Sequence, residues 1–211
     1  MTEVAQPSIT PAPSPGPVSS EERARAQVYA LLGALLARPP QESLLQALQQ
    51  IEAEPSANGD ADMTAAWGSI KQAAARAQVA AVEDEFQELF IGIGRGELVP
   101  YGSWYLTGFL MEKPLAELRV DLRRLGFERQ QDVHEPEDHA AALCEIMSLL
   151  AGSAEFSLER QREFFEKHVG PWMGRFFGDL TGAKAAQFYR AVGLLGERFL
   201  EVERTYLSMP V

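Results

Sequence analysis

The spacing of apolar residues along this 211-residue chain is the feature that most constrains its fold. In segment after segment, apolar side chains return every three or four residues, which places them on one face of an α-helix. The last such segment is the clearest, with Phe188, Val192, Leu195, Phe199, Val202 and Tyr206. Few segments show the period of two that a half-buried strand needs. The pattern therefore predicts an all-α protein, a single globular bundle of roughly eight to ten helices.

Local signals predict where several of these helices begin and end. Ser19 precedes Glu22 by three residues, which is the spacing of a capping box at the start of the first helix. Pro114 suits the first turn of a later helix, and Gly126 suits its end. Each signal acts within one turn of the backbone, so each predicts a helix end without knowledge of the tertiary structure.

Two long helices are also predicted from periodicity alone. One runs from about residue 62 to residue 90, and the last helix of the chain runs from about residue 183 to residue 207. The first of these is predicted to carry an acidic outer face formed by Glu83, Asp84, Glu85 and Glu88.

Composition divides the chain into a tail and one domain. Residues 1–19 are rich in Pro, Ala and Ser, with five prolines from Pro7 to Pro17, and are predicted to be a disordered tail. Residues 20–211 are predicted to form one all-helical domain. No secretory signal is recognisable, and no apolar run reaches the roughly 18 to 20 residues of a membrane span, so a soluble, cytoplasmic protein without stable membrane insertion is expected. With the single cysteine, Cys144, no internal disulfide can form, which fits a reducing compartment.

The charge balance favours one class of partner over another. Nineteen Lys and Arg stand against thirty Asp and Glu, so the formal net charge is −11. Such a surface repels a phosphate backbone, and nucleic acid is therefore excluded as the expected partner. A cationic partner is favoured instead.

The segment from His134 to His139 is the strongest candidate for metal chemistry, because it holds two imidazoles and three carboxylates. Pro136 is predicted to open a helix with His139 in its first turn, which leaves His134 outside the helix. The two histidines then lack the spacing of four that a helical metal site needs. A small metal-dependent hydrolase using His134 and His139 stays open as an alternative. Cys144 is predicted to fill the core, and the chain is not expected to be an enzyme.

A cluster of aromatic residues beside a glycine-rich loop is the strongest candidate for binding another chain. Tyr101, Trp104, Tyr105 and Phe109 fall within nine residues. Amphipathic aromatic side chains often anchor a bound polypeptide. Core packing is an equal alternative for Phe109 and for Trp172.

Three motifs together resemble the TorD/DmsD family of molybdoenzyme maturation chaperones. They are YGSWYLTG from Tyr101, EPEDH from Glu135 and FFEKHVGPWMGRFF from Phe164, in the order and at the separation typical of that family. The resemblance covers most of the chain from about residue 20 onward and leaves out the proline-rich tail.

The resemblance implies an all-helical cytoplasmic chaperone. Its client would be the precursor of a molybdenum-cofactor oxidoreductase, bound through its twin-arginine signal peptide or as the apo form and protected until cofactor insertion and export. No cofactor is expected, although the resemblance implies weak binding of guanine nucleotide. A second alternative is a chaperone that docks on a non-exported molybdoenzyme. The chain is expected to be a monomer or a domain-swapped dimer with a hinge at residues 127–135.

The resemblance also implies which residues bind the client. The family's acidic-Pro-x-Asp-His motif, which is linked to client binding, corresponds to Glu135, Pro136, Asp138 and His139. The family's aromatic segment of the same region corresponds to Tyr101, Ser103 and Trp104. Tyr105 and Trp172 complete the predicted set. We hypothesise that Glu135 and Asp138 engage the two arginines, while Tyr101, Trp104 and Tyr105 flank the apolar segment of the client.

Overall fold

Ten α-helices make up the part of the protein that the structure describes. The structure is a computed structural model, and it describes residues 17–52, 61–93, 95–128 and 135–209. The helices are α1 (Ser20–Ala37), α2 (Glu42–Gln49), α3 (Ala61–Arg76), α4 (Val79–Phe86), α5 (Gly102–Thr107), α6 (Lys113–Arg124), α7 (Ala140–Ala151), α8 (Leu158–Phe164), α9 (Met173–Gly182) and α10 (Phe188–Ser208). Two π-helical turns, Gln87–Ile91 and Phe165–Val169, continue α4 and α8. The predicted all-α bundle is confirmed.

The helices surround one apolar core. Helix α1 packs along α7, while α10 packs against both α9 and α3. Helices α9 and α10 approach closely at Gly196, where a Cβ atom would lie 2.4 Å from the ring of Phe177. Cys144 is fully buried in this core, as predicted. Among the described residues, none of the helices combines the length and the hydrophobicity that a membrane span needs.

The predicted local end signals are confirmed. The Ser19 hydroxyl accepts a hydrogen bond from the backbone N–H of Glu22, and the Glu22 carboxylate accepts one from the N–H of Ser19. Pro114 lies in the first turn of α6, and Gly126 follows that helix with a φ of 83°. Most of the predicted tail, residues 1–16, lies outside the described residues. So does most of the predicted hinge, at residues 129–134.

The prediction of one helix from residue 62 to residue 90 is wrong. Helix α3 ends at Arg76, and α4 begins at Val79 after the extended residue Gln78. One straight helix of that length would reach about 43 Å. The turn lets both α3 and α4 pack against α10.

The predicted start of the last helix at residue 183 is also wrong, because α10 begins at Phe188. Two carboxylates from distant parts of the chain accept hydrogen bonds from the backbone just before and at the start of α10. Glu97 accepts hydrogen bonds from the N–H groups of Lys184 and Ala185. Glu85 accepts bonds from the N–H groups of residues 187–189. Glu85 is therefore only 8% exposed and does not belong to an acidic outer face.

Candidate functional site

Backbone hydrogen bonds join the aromatic segment to the acidic motif, although the two are more than thirty residues apart in the sequence. The N–H of Gly102 donates to the carbonyl of Asp138 at 2.8 Å, and the N–H of Ala140 donates to the carbonyl of Pro100 at 2.8 Å. Tyr101 and His139 thus form an isolated antiparallel bridge. These bonds join two of the three motifs that the sequence singled out.

Asp138 is buried at this junction and caps helix α5. Its side chain accepts a 2.7 Å hydrogen bond through Oδ2 from the N–H of Ser103. The residue is 3% exposed, and Ser103 is fully buried. The second carboxylate oxygen of Asp138 and the hydroxyl of Ser103 have no hydrogen-bond partner among the described residues. In this structure Asp138 therefore positions the backbone of the site and is not exposed to a client.

The predicted helix start at Pro136 is wrong. The hydrogen bonds to residues 100–102 keep His139 in an extended conformation, so α7 begins at Ala140. His139 is its N-cap residue, and its Nδ1 accepts a hydrogen bond from the N–H of Ala141 at 3.1 Å. The ring of His139 meets the ring of Tyr101 edge to face at 5.0 Å. His139 thus belongs to the junction and not to the inner face of α7.

A groove of about 710 Å³ opens beside the junction, between α1, α7 and the first π-helical turn. We call it the α1/α7 groove. Three predicted residues, Tyr101, Glu135 and His139, line it. The other lining residues are Ala30, Gly33, Ala34, Leu36, Ala37, Arg38, Phe86, Phe90, Ile91, Pro100, Ala141, Ala142, Glu145, Ser148 and Leu149. Most of these are apolar, so the groove combines carboxylates with an apolar surface.

Glu135 supplies one of the carboxylates of this groove. The hydroxyl of Tyr101 donates a hydrogen bond to the Glu135 carboxylate. Burial, together with the nearby charge of Asp138, raises the pKa of Glu135. Tyr101 thus positions this carboxylate, while burial and the charge of Asp138 favour its protonated form.

The remaining predicted residues lie elsewhere. Trp104 and Tyr105 line a separate pocket of about 310 Å³. There the guanidinium of Arg95 lies 4.6 Å from the Trp104 ring centroid, and that of Arg175 lies 4.9 Å from the Tyr105 ring centroid. Trp172 is 1% exposed and packs beneath Tyr105. The nine predicted residues therefore do not form one surface, and their roles in client binding stay predictions.

Sequence reasoning missed Glu145, Leu149 and Arg38, which also line the groove. Glu145 and Leu149 lie within α7, and Arg38 lies at the end of α1, where an exposed side chain is ordinarily part of the solvated surface. A signal was present in the sequence, because Ala142, Glu145 and Leu149 recur at steps of three and four and share one face of α7. Without the position of α1, that face could not be assigned to a groove.

The described residues contain no group of three or more His, Cys, Asp or Glu side chains placed to hold a metal ion. His134, one of the two histidines of the hydrolase alternative, lies outside the described residues. The Nδ1 of the other, His139, is already engaged by the backbone of α7. Burial raises the pKa of the Cys144 thiol to about 12, so at neutral pH the thiol stays protonated and unreactive.

We expect His139 to make the protein less stable in mild acid. Burial lowers its pKa to about 4, whereas an unfolded histidine titrates near 6.5. Between these values the unfolded state binds more protons, so this contribution to stability is complete above the unfolded pKa and is lost as the pH falls. The loss between about pH 7 and about pH 5 should be about 2 kcal/mol.

Urea unfolding at the two pH values would measure this effect in the wild type and in His139→Asn. Asparagine keeps a side-chain acceptor for the N–H of Ala141 but does not titrate. The variant should therefore lose less stability on acidification than the wild type. An equal loss in both proteins would show that His139 is not responsible.

Known proteins resemble this chain in sequence and in fold. A family model described as the nitrate reductase delta subunit matches residues 56–178, more than half of the chain. A crystal structure from Archaeoglobus fulgidus, provisionally described as a redox enzyme maturation protein, matches with a TM-score of 0.54 and 18% identity. The match covers 87% of this chain and 95% of that one. At this identity, the structural match shows the fold alone.

Three relatives extend the comparison. The chaperone protein TorD of Vibrio cholerae is 29% identical over 134 residues, which cover 59% of this chain and 61% of that relative. TorD of Vibrio atlanticus is 25% identical over 203 residues, 87% of this chain and 94% of that relative. DmsD of Haemophilus influenzae, provisionally named a Tat proofreading chaperone, is 30% identical over 124 residues, 57% of this chain and 59% of that relative. The match to TorD of Vibrio cholerae covers about three fifths of the length of that relative.

Proposed function

The chain belongs to the TorD/DmsD family, whose model is described as the nitrate reductase delta subunit, and from this membership we propose that it is a chaperone for a molybdenum-cofactor oxidoreductase. It binds the twin-arginine signal peptide of the apo precursor in the cytoplasm and protects the precursor until cofactor insertion and export. It acts by binding and not by catalysis. Weak binding of guanine nucleotide stays a prediction of the family resemblance.

The α1/α7 groove is the observation that carries this proposal. A twin-arginine signal pairs two cations with an apolar stretch, so its receptor needs carboxylates beside an apolar surface. The groove offers Glu135 and Glu145 beside Leu36, Phe90 and Ile91. The net charge of −11 adds a long-range attraction for a cationic peptide.

Isothermal titration calorimetry with twin-arginine signal peptides from molybdoenzymes of the same genome tests this proposal. We expect micromolar or tighter binding of one peptide. A peptide with both arginines replaced by glutamine should bind much more weakly, and equal binding would contradict the electrostatic part of the proposal. If no signal peptide binds but a signal-less client does, the protein is a docking chaperone for a non-exported enzyme.

Glu135→Gln should weaken peptide binding about tenfold, which corresponds to about 1.4 kcal/mol. The amide keeps the shape of the side chain but removes the charge that pairs with a guanidinium. Glu163→Gln on α8 is the matched control, because it makes the same charge change on an exposed residue outside the groove. If both variants lose the same affinity, net charge and not contact with Glu135 accounts for the loss.

A further inference from the structure

A second groove lies on the other side of α7 from the α1/α7 groove. It has a volume of about 720 Å³, and we call it the α6/α7 groove. Its lining residues are Arg119, Leu122, Arg123, Phe127, Glu128, Glu135, Glu137, Ala142, Glu145, Ile146 and Leu149. Four of these also line the α1/α7 groove, namely Glu135, Ala142, Glu145 and Leu149. The two grooves therefore meet along these four residues, which we call the α7 ridge.

The α7 ridge exposes an apolar side chain next to a charged one. Leu149 is 51% exposed. Glu145 is exposed and forms no ion pair with another described residue. Helix α7 therefore exposes one apolar and one anionic side chain on the same face. Nothing in the described part of the chain covers this face.

The charges facing the ridge favour a cationic occupant. Arg119 is neutralised by Glu137, with its Nε at 2.9 Å and its Nη2 at 2.8 Å from the carboxylate. Arg38 and Arg123 are the cations that remain on the described walls of the two grooves. Against them stand Glu128 and Glu145, and Glu135, which also accepts a hydrogen bond from Tyr101, adds a third carboxylate.

Two adjacent arginines need two carboxylates. Consecutive side chains of an extended segment point in opposite directions, so a single carboxylate does not form a bidentate pair with both guanidinium groups. Glu135 precedes α7, and Glu145 lies about 7.5 Å along the helix axis from the first residue of α7. Both residues line both grooves, so the ridge carries two carboxylates for the two guanidinium groups.

We propose that the client segment crosses the α7 ridge, so that Glu145 binds the second cation of an adjacent pair while Glu135 binds the first. The apolar part of the segment packs on Leu149 and occupies both grooves. This inference rests on the proposed function and names the residues that bind the two arginines of the signal peptide. It makes Glu145 and Leu149 determinants of specificity.

A matrix of peptides and variants tests the assignment of Glu145. The peptides are the signal peptide that binds best, its two single Arg→Gln forms and the double form, titrated into wild type, Glu135→Gln, Glu145→Gln and the control Glu163→Gln. We expect Glu145→Gln to weaken the twin-arginine peptide about tenfold. One single-substituted peptide should be insensitive to Glu145→Gln yet still sensitive to Glu135→Gln, and the other should show the reverse.

Leu149→Ser tests the apolar half of the inference. We expect about fivefold weaker binding of the twin-arginine peptide, whereas Val202→Ser, an exposed apolar residue on α10, should leave the affinity unchanged. Circular dichroism of each variant verifies folding. Gel filtration of the free proteins tests whether a second copy of the chain covers the ridge, since a wild-type dimer that Leu149→Ser dissociates would overturn the inference.

The outcomes separate the inference from the proposed function. If the wild type binds no signal peptide, the proposed function itself fails for this peptide class. If the wild type binds but Glu145→Gln behaves as Glu163→Gln does, the function stands and the role of Glu145 is overturned. If Glu145→Gln lowered the affinity for all four peptides equally, the role of Glu145 would also be overturned. A residue that binds one arginine should affect only the peptides that contain that arginine.

Discussion

Arg25→Met should lower the free energy of unfolding by about 3 to 5 kcal/mol, because it leaves a buried carboxylate without its partner. The guanidinium of Arg25 binds Glu203 in a bidentate manner, with Nε to Oε2 at 2.7 Å and Nη2 to Oε1 at 2.6 Å. Its Nη1 donates to Gln161 at 2.9 Å, and the group lies 4.3 Å from the Tyr206 ring centroid. Glu203 is 0% exposed. Urea unfolding followed by circular dichroism measures the loss.

The double variant Arg25→Met with Glu203→Met is the control for this prediction. Replacing both partners by apolar residues removes the uncompensated charge, so much of the stability should return. A loss below about 1 kcal/mol in Arg25→Met alone would contradict the prediction, since it would mean that water reaches Glu203 as it reaches a surface ion pair. The ion pair joins α1 to α10, and the bond from Arg25 to Gln161 joins α1 to α8. Loss of both should therefore also destabilise the packing of α1 against these two helices.

Glu85→Ala should lower the free energy of unfolding by about 3 kcal/mol, which is roughly the contribution of two charge-assisted hydrogen bonds. The Glu85 carboxylate accepts bonds from the N–H groups of Gln187, Phe188 and Tyr189 at 2.7 to 3.0 Å. Two of these bonds are buried, so their donors would be left without partners at the start of α10. The negative charge also complements the dipole of that helix.

Glu83→Ala is the matched control on the same helix, because Glu83 is exposed. It should change the stability by no more than about 0.5 kcal/mol. Glu85→Gln should fall between the two variants, since its amide oxygen keeps an acceptor but loses the charge. Equal stability of Glu85→Ala and Glu83→Ala in urea unfolding would show that the start of α10 does not depend on this carboxylate.

Much of the fold followed from local patterns. The apolar period of three to four residues predicted the class and the approximate number of helices, and the capping box at Ser19 predicted the start of α1. Two of the errors occurred where a distant group decides the outcome. The start of α10 depends on Glu85, and the start of α7 depends on hydrogen bonds from residues 100–102. At both helix starts the helical period of the sequence continues upstream of the first helical residue. The groups that prevent an earlier start lie elsewhere in the chain.

The candidate site was predicted in part for the same reason. Motif resemblance indicated Tyr101, Glu135 and His139, which the structure places in one groove. It did not separate them from Trp104 and Tyr105, which line another pocket, because short sequence separation does not imply a shared surface. Glu145 was missed because it belongs to no motif and becomes notable only when two grooves are seen to share it.

The sequence by itself determined the all-α class, the positions of the helices with strong local signals and the acidic balance, because these depend on interactions within a few residues. Only the tertiary structure decided what each carboxylate does. Asp138 caps a helix from a buried position, Glu203 pairs with Arg25, and Glu145 lies exposed on the α7 ridge. In the sequence these side chains are chemically alike. Their roles differ because packing decides which of them meets a backbone N–H, a cation or open solvent.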